Sequence, residues 1–398
     1  MTLQILYLAH DLADAAIRRR VLLLKHGGAR VTVAGFQRAD NVLAGDTDVE
    51  TISLGRTADG RFTQRVGAVL SAAISLKAKL SGIPAPDVIV ARNLEMLALA
   101  ARASTLFGAR VPVVYECLDI HRLLLDEGMK GRLLRAAEGY FGRDARLLIT
   151  SSPAFIDHYF SRRSRLALPT LLLENKVLAL EDVAGTALPE LRPPEAGQPW
   201  KIGWFGAIRC RKSLAILSEF AARMEGRVQV VLRGRPAYGE FDDFDRQVEM
   251  APHVEFCGPY RNPEDLSGIY SDVQFVWAID FFEEGLNSEW LLPNRLYEGA
   301  LHGAVPVALK STETGRFLER RGLGLTLDTA HPDDLISLFG AMDRQRYEEL
   351  FASIAATERS AWLAGPEDCR ALVARLAALS SGAAADTAPA VVSPVVSR

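Results

Sequence analysis

The chain has 398 residues, 49% of them hydrophobic and 24% charged, with a formal net charge of −3. At about 100–200 residues per domain, that length predicts two domains, and the apolar fraction excludes wholesale disorder and fibrous repeats. Near-balanced charge argues against a dedicated nucleic-acid binder, which carries a basic excess.

From the N-terminus, Gln4–Ala9 reads as an apolar strand with no basic segment or cleavage site before it, so no signal peptide is expected. Strand-like runs follow at Arg30–Gly35, Val88–Ala91, Val113–Cys117 and Leu147–Thr150. Between them lie helix-period stretches: Ala13–His26 stops at Gly27-Gly28, and Leu94–Phe107 stops at Gly108. Such alternation implies βαβ units and a parallel sheet covered on both faces. Residues 178–199 hold Pro189, Pro193, Pro194 and Pro199 and read as a linker. The alternation then resumes with Lys201–Gly206, a helix Lys212–Met224, and strands Val228–Arg233, His253–Gly258, Val273–Ile279 and Val305–Leu309.

The expected fold class is therefore α/β: two Rossmann-like doubly wound domains, 1–177 and 200–355, facing across a cleft. Residues 356–379 are expected to be C-terminal helices able to cross back to the first domain, and 380–398 a disordered tail. Ligands of such sheets sit at the carboxyl ends of the strands. The uncharged stretch of most helical character, Val66 to Leu76, is too short to span a bilayer. Cys117, Cys210, Cys257 and Cys369 form no CxxC pair and have no His at ligand spacing, so neither a disulfide scaffold nor a zinc site is expected. A soluble, cytoplasmic protein fits these features.

Two segments carry chemistry. In Asn287-Ser288-Glu289-Trp290-Leu291-Leu292-Pro293-Asn294-Arg295-Leu296-Tyr297-Glu298, Pro293 suits the first turn of a helix, whose free N–H groups and dipole favour a bound phosphate. Arg295 and Glu298 share a face; the first could meet a diphosphate and the second ribose hydroxyls. An ordinary surface helix with an i,i+3 ion pair is the competing reading. Gly206-Ala207-Ile208-Arg209-Cys210-Arg211-Lys212 follows a strand and opens a helix. Glycine lets a ligand approach the backbone, and three cations at a helix start oppose its dipole. An anion among them would resolve this; a solvated basic turn is the alternative.

The pairing of G-x-x-x-x-x-K with P-N-R-L-Y-E and Gly303-Ala304-Val305-Pro306-Val307 resembles the GT-B glycosyltransferases, in particular family-4-like enzymes. Asp87-Val88-Ile89-Val90-Ala91-Arg92-Asn93, the run Val111 to His121, and Ile149-Thr150-Ser151-Ser152 resemble the strands and loops of that fold's acceptor domain. Over residues 3–360 the chain is most similar to bacterial exopolysaccharide glycosyltransferases of the succinoglycan type. The resemblance implies transfer of a hexosyl or hexuronosyl unit from a UDP-sugar to a lipid-linked glycan. By it Gly206, Arg209 and Lys212 hold the donor diphosphate, Gly234 and Arg235 lie near the nucleotide, and Gly258-Pro259-Tyr260-Arg261 border the base. Asn294 and Arg295 complete the donor site, and Glu298 holds the ribose.

Departures bear on stereochemistry. Retaining family-4 enzymes usually carry a Glu eight positions before the ribose Glu, and here that position is Trp290; Glu289 is one place out of register, and Glu284-Gly285 lies further upstream. The usual Gly-Gly loop after the first strand is replaced by His10-Asp11-Leu12-Ala13-Asp14, and the family's common Arg after the phosphate-loop glycine is Ala207. An inverting mechanism needs a general base on the acceptor hydroxyl. Asp119 is the candidate, with Glu116 and His121 as neighbours and His10-Asp11 as a rival pair; capping or loop bonding competes for each. No D-x-D motif stands at a strand end, so neither a metal nor another cofactor is expected, and leaving-group charge falls to the cations and the helix N-terminus. A sugar-nucleotide 2-epimerase and a non-catalytic nucleotide-sugar-binding subunit remain as other readings.

Basic amphipathic stretches mark the first half: Arg61 to Leu80, Leu123–Arg146, and Arg162-Arg163-Ser164-Arg165. Such helices can lie on anionic bilayers, so peripheral contact with the inner face of the cell membrane is expected, against the alternative of ordinary core-facing helices with solvated charges.

Overall fold

Apolar runs too short for helices form the sheets. In the computed structural model, which describes residues 2–37, 49–57, 62–179 and 189–381, the first sheet has seven parallel strands in the order β3-β2-β1-β4-β5-β6-β7. They are β1 Gln4–Ala9, β2 Arg30–Gln37, β3 Glu50–Arg56, β4 Val88–Arg92, β5 Val113–Glu116, β6 Ala145–Thr150 and β7 Thr170–Leu172. Strands β4 and β5 are buried along their whole length, as expected for a parallel sheet covered on both faces. The helices are α1 Ala15–His26, α2 Phe62–Lys79, α3 Asn93–Ala103, α4 Arg122–Leu125 and α5 Met129–Gly142, followed by others named below by range. Residues 180–188 of the expected linker, 382–398 of the expected tail and Arg61 lie outside the described residues.

The chain divides into two units. The first comprises Met1–Glu174, Leu178–Val183 and Ala364–Arg398; the second comprises Asn175–Val177 and Ala184–Leu363. Short strands β8, Val177–Leu178, and β15, Leu363–Ala364, lie where the chain passes between them. The C-terminal helix Pro366–Ser380 joins the first core, placing Cys369, Leu372, Val373 and Leu376 with Ile17, Val21 and Leu24 of α1. This packing explains Gly27: a Cβ there would lie 2.2 Å from the Cys369 carbonyl oxygen. Asp14 sets the start of α1, accepting the Ala16 N–H at 2.8 Å.

The second sheet runs β11-β10-β9-β12-β13-β14, again parallel. Its strands are β9 Trp200–Ile208, β10 Val228–Pro236, β11 Val254–Phe256, β12 Phe275–Trp277, β13 Val305–Leu309 and β14 Leu325–Leu327. The chain leaves β9 toward β10 on one side and returns to β12 on the other, so the loops after β9 and β12 diverge. In open α/β sheets that divergence opens a crevice at the carboxyl ends. The first sheet has the same switch point, between β1 and β4.

Candidate functional site

The carboxyl ends of β9 and β12 gather the cations singled out above. Arg209 follows β9, Lys212 sits in the first turn of helix Arg211–Arg223, and Arg295 in the first turn of helix Asn294–Leu301. The loop after β12 reaches all three. Asp280 Oδ2 lies 4.0 Å from an Arg209 nitrogen and 3.9 Å from one of Arg295. Glu284 accepts from Lys212 Nζ at 2.6 and 2.8 Å. Phe282 lies under the Arg209 guanidinium and Phe281 under the Lys212 ammonium, 4.4 and 4.5 Å from the ring centres. The loop is itself braced, since Asp280 Oδ1 accepts from the Phe282 N–H at 2.8 Å and from the Ser288 hydroxyl at 3.1 Å. Nothing in the sequence reading pointed to Asp280; its only signal is an acid just beyond a strand at the switch point.

The three cations at the helix start are met by the chain's own carboxylates, Arg211 pairing with Asp242 at 3.1 Å. The pairs differ in weight. Lys212 and Glu284 are each about half exposed, and such surface pairs contribute only ~0–1 kcal/mol. Arg295 is 8% exposed; its Nη2 donates to the Ile279 carbonyl at 2.9 Å, while its buried Nε has no hydrogen-bond partner among the described residues. A desolvated N–H without an acceptor costs about 1–3 kcal/mol. Glu298 accepts from Asn262 Nδ2 and from the Tyr270 hydroxyl, both at 2.9 Å, while Arg295 lies 3.9 Å from Asp280. Pro293 stands at the N-cap rather than in the first turn.

Gly206 and Gly234 pair across β9 and β10, with φ of +111° and +136°. A Cβ on Gly234 would meet the Gly206 carbonyl oxygen at 1.8 Å, whereas one on Gly206 would meet nothing nearer than the Tyr260 hydroxyl at 4.0 Å. Gly234 is therefore required by strand packing, and Gly206 by its backbone conformation, with open space beside it. Gly234→Ala is expected to destabilise the second unit by about 1–3 kcal/mol or more, read as a lower midpoint in urea by tryptophan fluorescence; an unchanged midpoint would contradict the packing role. Burial, reinforced by the Glu298 carboxylate, pushes the Tyr260 phenol up. Arg235 and Asn294 are exposed, and Arg261 turns away to pair with Asp265 at 2.8 Å.

In the first unit the candidates lie past β1 and β5. Asp119 is exposed, three residues beyond β5. Its loop is tied to β6: the Thr150 hydroxyl donates to the Cys117 carbonyl at 2.8 Å, and the Ser151 hydroxyl to that of Leu118 at 3.3 Å. His121 Nδ1 accepts the Leu123 N–H at 3.2 Å and caps α4; burial, then the Arg65 charge, lowers its pKa. His10 Nε2 lies 3.4 Å from Asp14, and Asp11 accepts the Ala13 N–H at 3.0 Å.

Glu116 is corrected from neighbouring candidate to core residue. It is fully buried and accepts from Arg20 Nε at 2.5 Å, from Arg92 at 2.9 Å and from the Tyr7 hydroxyl. Burial alone would raise its pKa, but the two guanidinium groups and the phenol outweigh it and hold the carboxyl at about 2. Among the described residues no group of three or more His, Cys, Asp and Glu is placed to hold a metal ion.

The fold is shared with solved structures, a galactosyltransferase among them. HepE of Anabaena, crystallised with UDP and glucose, superposes with a TM-score of 0.69 at 19% identity, covering 95% of this chain and 100% of that one. The lipopolysaccharide outer core galactosyltransferase WaaB gives 0.62 at 15% identity, covering 95% and 100%. No family model matches the chain. Two parallel-sheet units of this kind are the GT-B fold, which this chain shares. The succinoglycan biosynthesis protein ExoL of Rhizobium meliloti (strain 1021) is 58% identical over 380 residues, spanning 95% of this chain and 94% of its own length. The chain belongs to the family of that protein.

Proposed function

We propose that the chain transfers a hexosyl or hexuronosyl unit from a UDP-sugar to a lipid-linked oligosaccharide in exopolysaccharide synthesis. The observation that carries this is the buried Arg295 guanidinium with an unpartnered Nε, beside Arg209 and Lys212 at a sheet switch point. A donor diphosphate supplies the acceptor that Nε lacks and takes Lys212 from Glu284, an exchange that gives up only a weak surface pair. Glu298, held by Asn262 and Tyr270, accepts from the ribose hydroxyls. As the glycosidic bond to the diphosphate breaks, Arg295, Arg209 and Lys212 stabilise the charge left on UDP, so the reaction is expected to need no metal or other cofactor. Asp119 takes the proton of the attacking hydroxyl. Support also comes from the relatives, one named for succinoglycan biosynthesis and one bound to UDP and glucose.

A screen of nucleotide sugars for thermal stabilisation tests the donor class: UDP-sugars should stabilise the chain, and no response to any of them would sink the reading. Incubating the stabilising donor alone separates a transferase from an epimerase, since an epimerase changes the sugar without an acceptor. Asp119→Ala should lower transfer by roughly 10²–10⁴-fold with donor binding intact; an unchanged rate removes Asp119 from the role.

A further inference from the structure

We propose that the outer faces of α2 and α5 form a docking surface for an anionic phospholipid bilayer. The proposal deepens the lipid-linked acceptor reading, but its structural grounds lie in the first unit alone. Six of the ten large hydrophobic side chains that the described residues leave exposed belong to these two helices: Val66, Leu70 and Ile74 on α2, and Met129, Leu133 and Tyr140 on α5. Isolated exposed hydrophobics are normal on any surface; these are ordered into stripes. At ~100° per residue, Val66, Leu70 and Ile74 fall within an arc of about 80°, and Met129, Leu133 and Tyr140 within about 40°. Both helices pack against α3, so they flank one helix on one side of the sheet. Ile74 is 80% exposed and Met129 79%, more than packing against the unit's own core would leave.

Charge decides what these stripes face. Helix α2 has no acidic residue, and the single acid of α5, Glu138, is buried under the hydroxyls of Tyr115, Tyr159 and Ser164. Lys77, Lys130 and Arg132 are exposed on the two helices, and Arg143 lies over the Tyr140 ring. Of the acids flanking α5, Asp126 accepts the Gly128 N–H, Asp144 pairs with Arg110 and Arg143, and Glu127 lies 3.8 Å from Arg163. An apolar stripe edged by cations matches the interface of a membrane carrying negative headgroups. A second copy of the same face would bring like charges together, which disfavours self-association.

The test is sedimentation of the full chain with vesicles of phosphatidylglycerol and phosphatidylcholine, against phosphatidylcholine alone, with neither donor nor acceptor present. Binding to the mixed vesicles should be at least ~10-fold tighter than to the neutral ones and should weaken with salt. Ile74→Glu combined with Leu133→Glu should reduce it by ~10-fold or more, and Lys77→Ser with Lys130→Ser by about fivefold per cation removed. These substitutions lie on exposed faces, so an unchanged melting curve confirms that the variants are folded. No binding, equal binding to neutral vesicles, or variants that bind as the parent does would overturn the proposal. So would light scattering that shows a dimer split by Ile74→Glu, because the face would then cover a second copy. Vesicle binding without transfer strikes at the enzymatic reading, and transfer without vesicle binding strikes at this one.

Discussion

Arg295→Gln is expected to weaken UDP binding by about 10–100-fold. The guanidinium is 8% exposed and anchored through Nη2 to the Ile279 carbonyl, so it meets a ligand without first losing side-chain freedom. Its Nε is a buried donor with no hydrogen-bond partner among the described residues, and a hydrogen bond to a charged group contributes about 1.5–3 kcal/mol. Glutamine removes the charge and that donor together, and leaves Asp280 facing Arg209 alone at 4.0 Å. Arg295→Lys keeps the charge without the planar fork and should fall between the two. Calorimetric titration with UDP reads the effect, with thermal melts showing that each variant is folded. An unchanged affinity in Arg295→Gln would remove the residue from the donor site.

Glu116→Gln is expected to destabilise the first unit by about 3–5 kcal/mol, because Arg20 and Arg92 would then be buried without their shared counterion. The pH dependence has a definite sign. The carboxyl is held at about 2 against an ordinary 4.5, so its stabilising contribution is complete above about pH 4.5. It is lost as the pH falls from there toward 2, on the order of 3 kcal/mol in all. The two units can be followed separately, since Trp200, Trp204, Trp277, Trp290 and Trp362 all lie in the second. Urea unfolding of the variant at neutral pH should show an early transition in circular dichroism that tryptophan fluorescence does not report. Coincident, unshifted transitions would contradict the burial of a net positive cluster.

Much of the fold is legible in the chain's punctuation. Gln4–Ala9 and Val305–Leu309 appear as strands with the expected bounds, and the others shift by a few residues at their ends. β3 escaped the sequence reading because Glu-Thr-Ile-Ser-Leu-Gly-Arg is an edge strand with mostly exposed polar positions, and β14 because three residues carry too little periodicity. The site divides along similar lines. Helix spacing placed Arg295 and Glu298 near one another, but their partners come from Ile279, Asn262 and Tyr270, which no local rule connects to them. The same holds for Glu116, whose partners Tyr7, Arg20 and Arg92 are separated from it by 24 to 109 residues. Asp280, Phe281 and Phe282 read as an unremarked loop until the sheet order places that loop beside the loop after β9.

Acceptor-dependent transfer from a UDP-sugar by a site built of arginine and lysine has a direct readout. The most direct measurement is UDP release by the purified chain from the stabilising UDP-sugar, in EDTA, with and without membrane lipids bearing polyprenyl-diphosphate-linked oligosaccharide. Release should require the lipid fraction, persist in EDTA and collapse in Arg295→Gln; release indifferent to the lipid fraction, or abolished by EDTA, would contradict such a site.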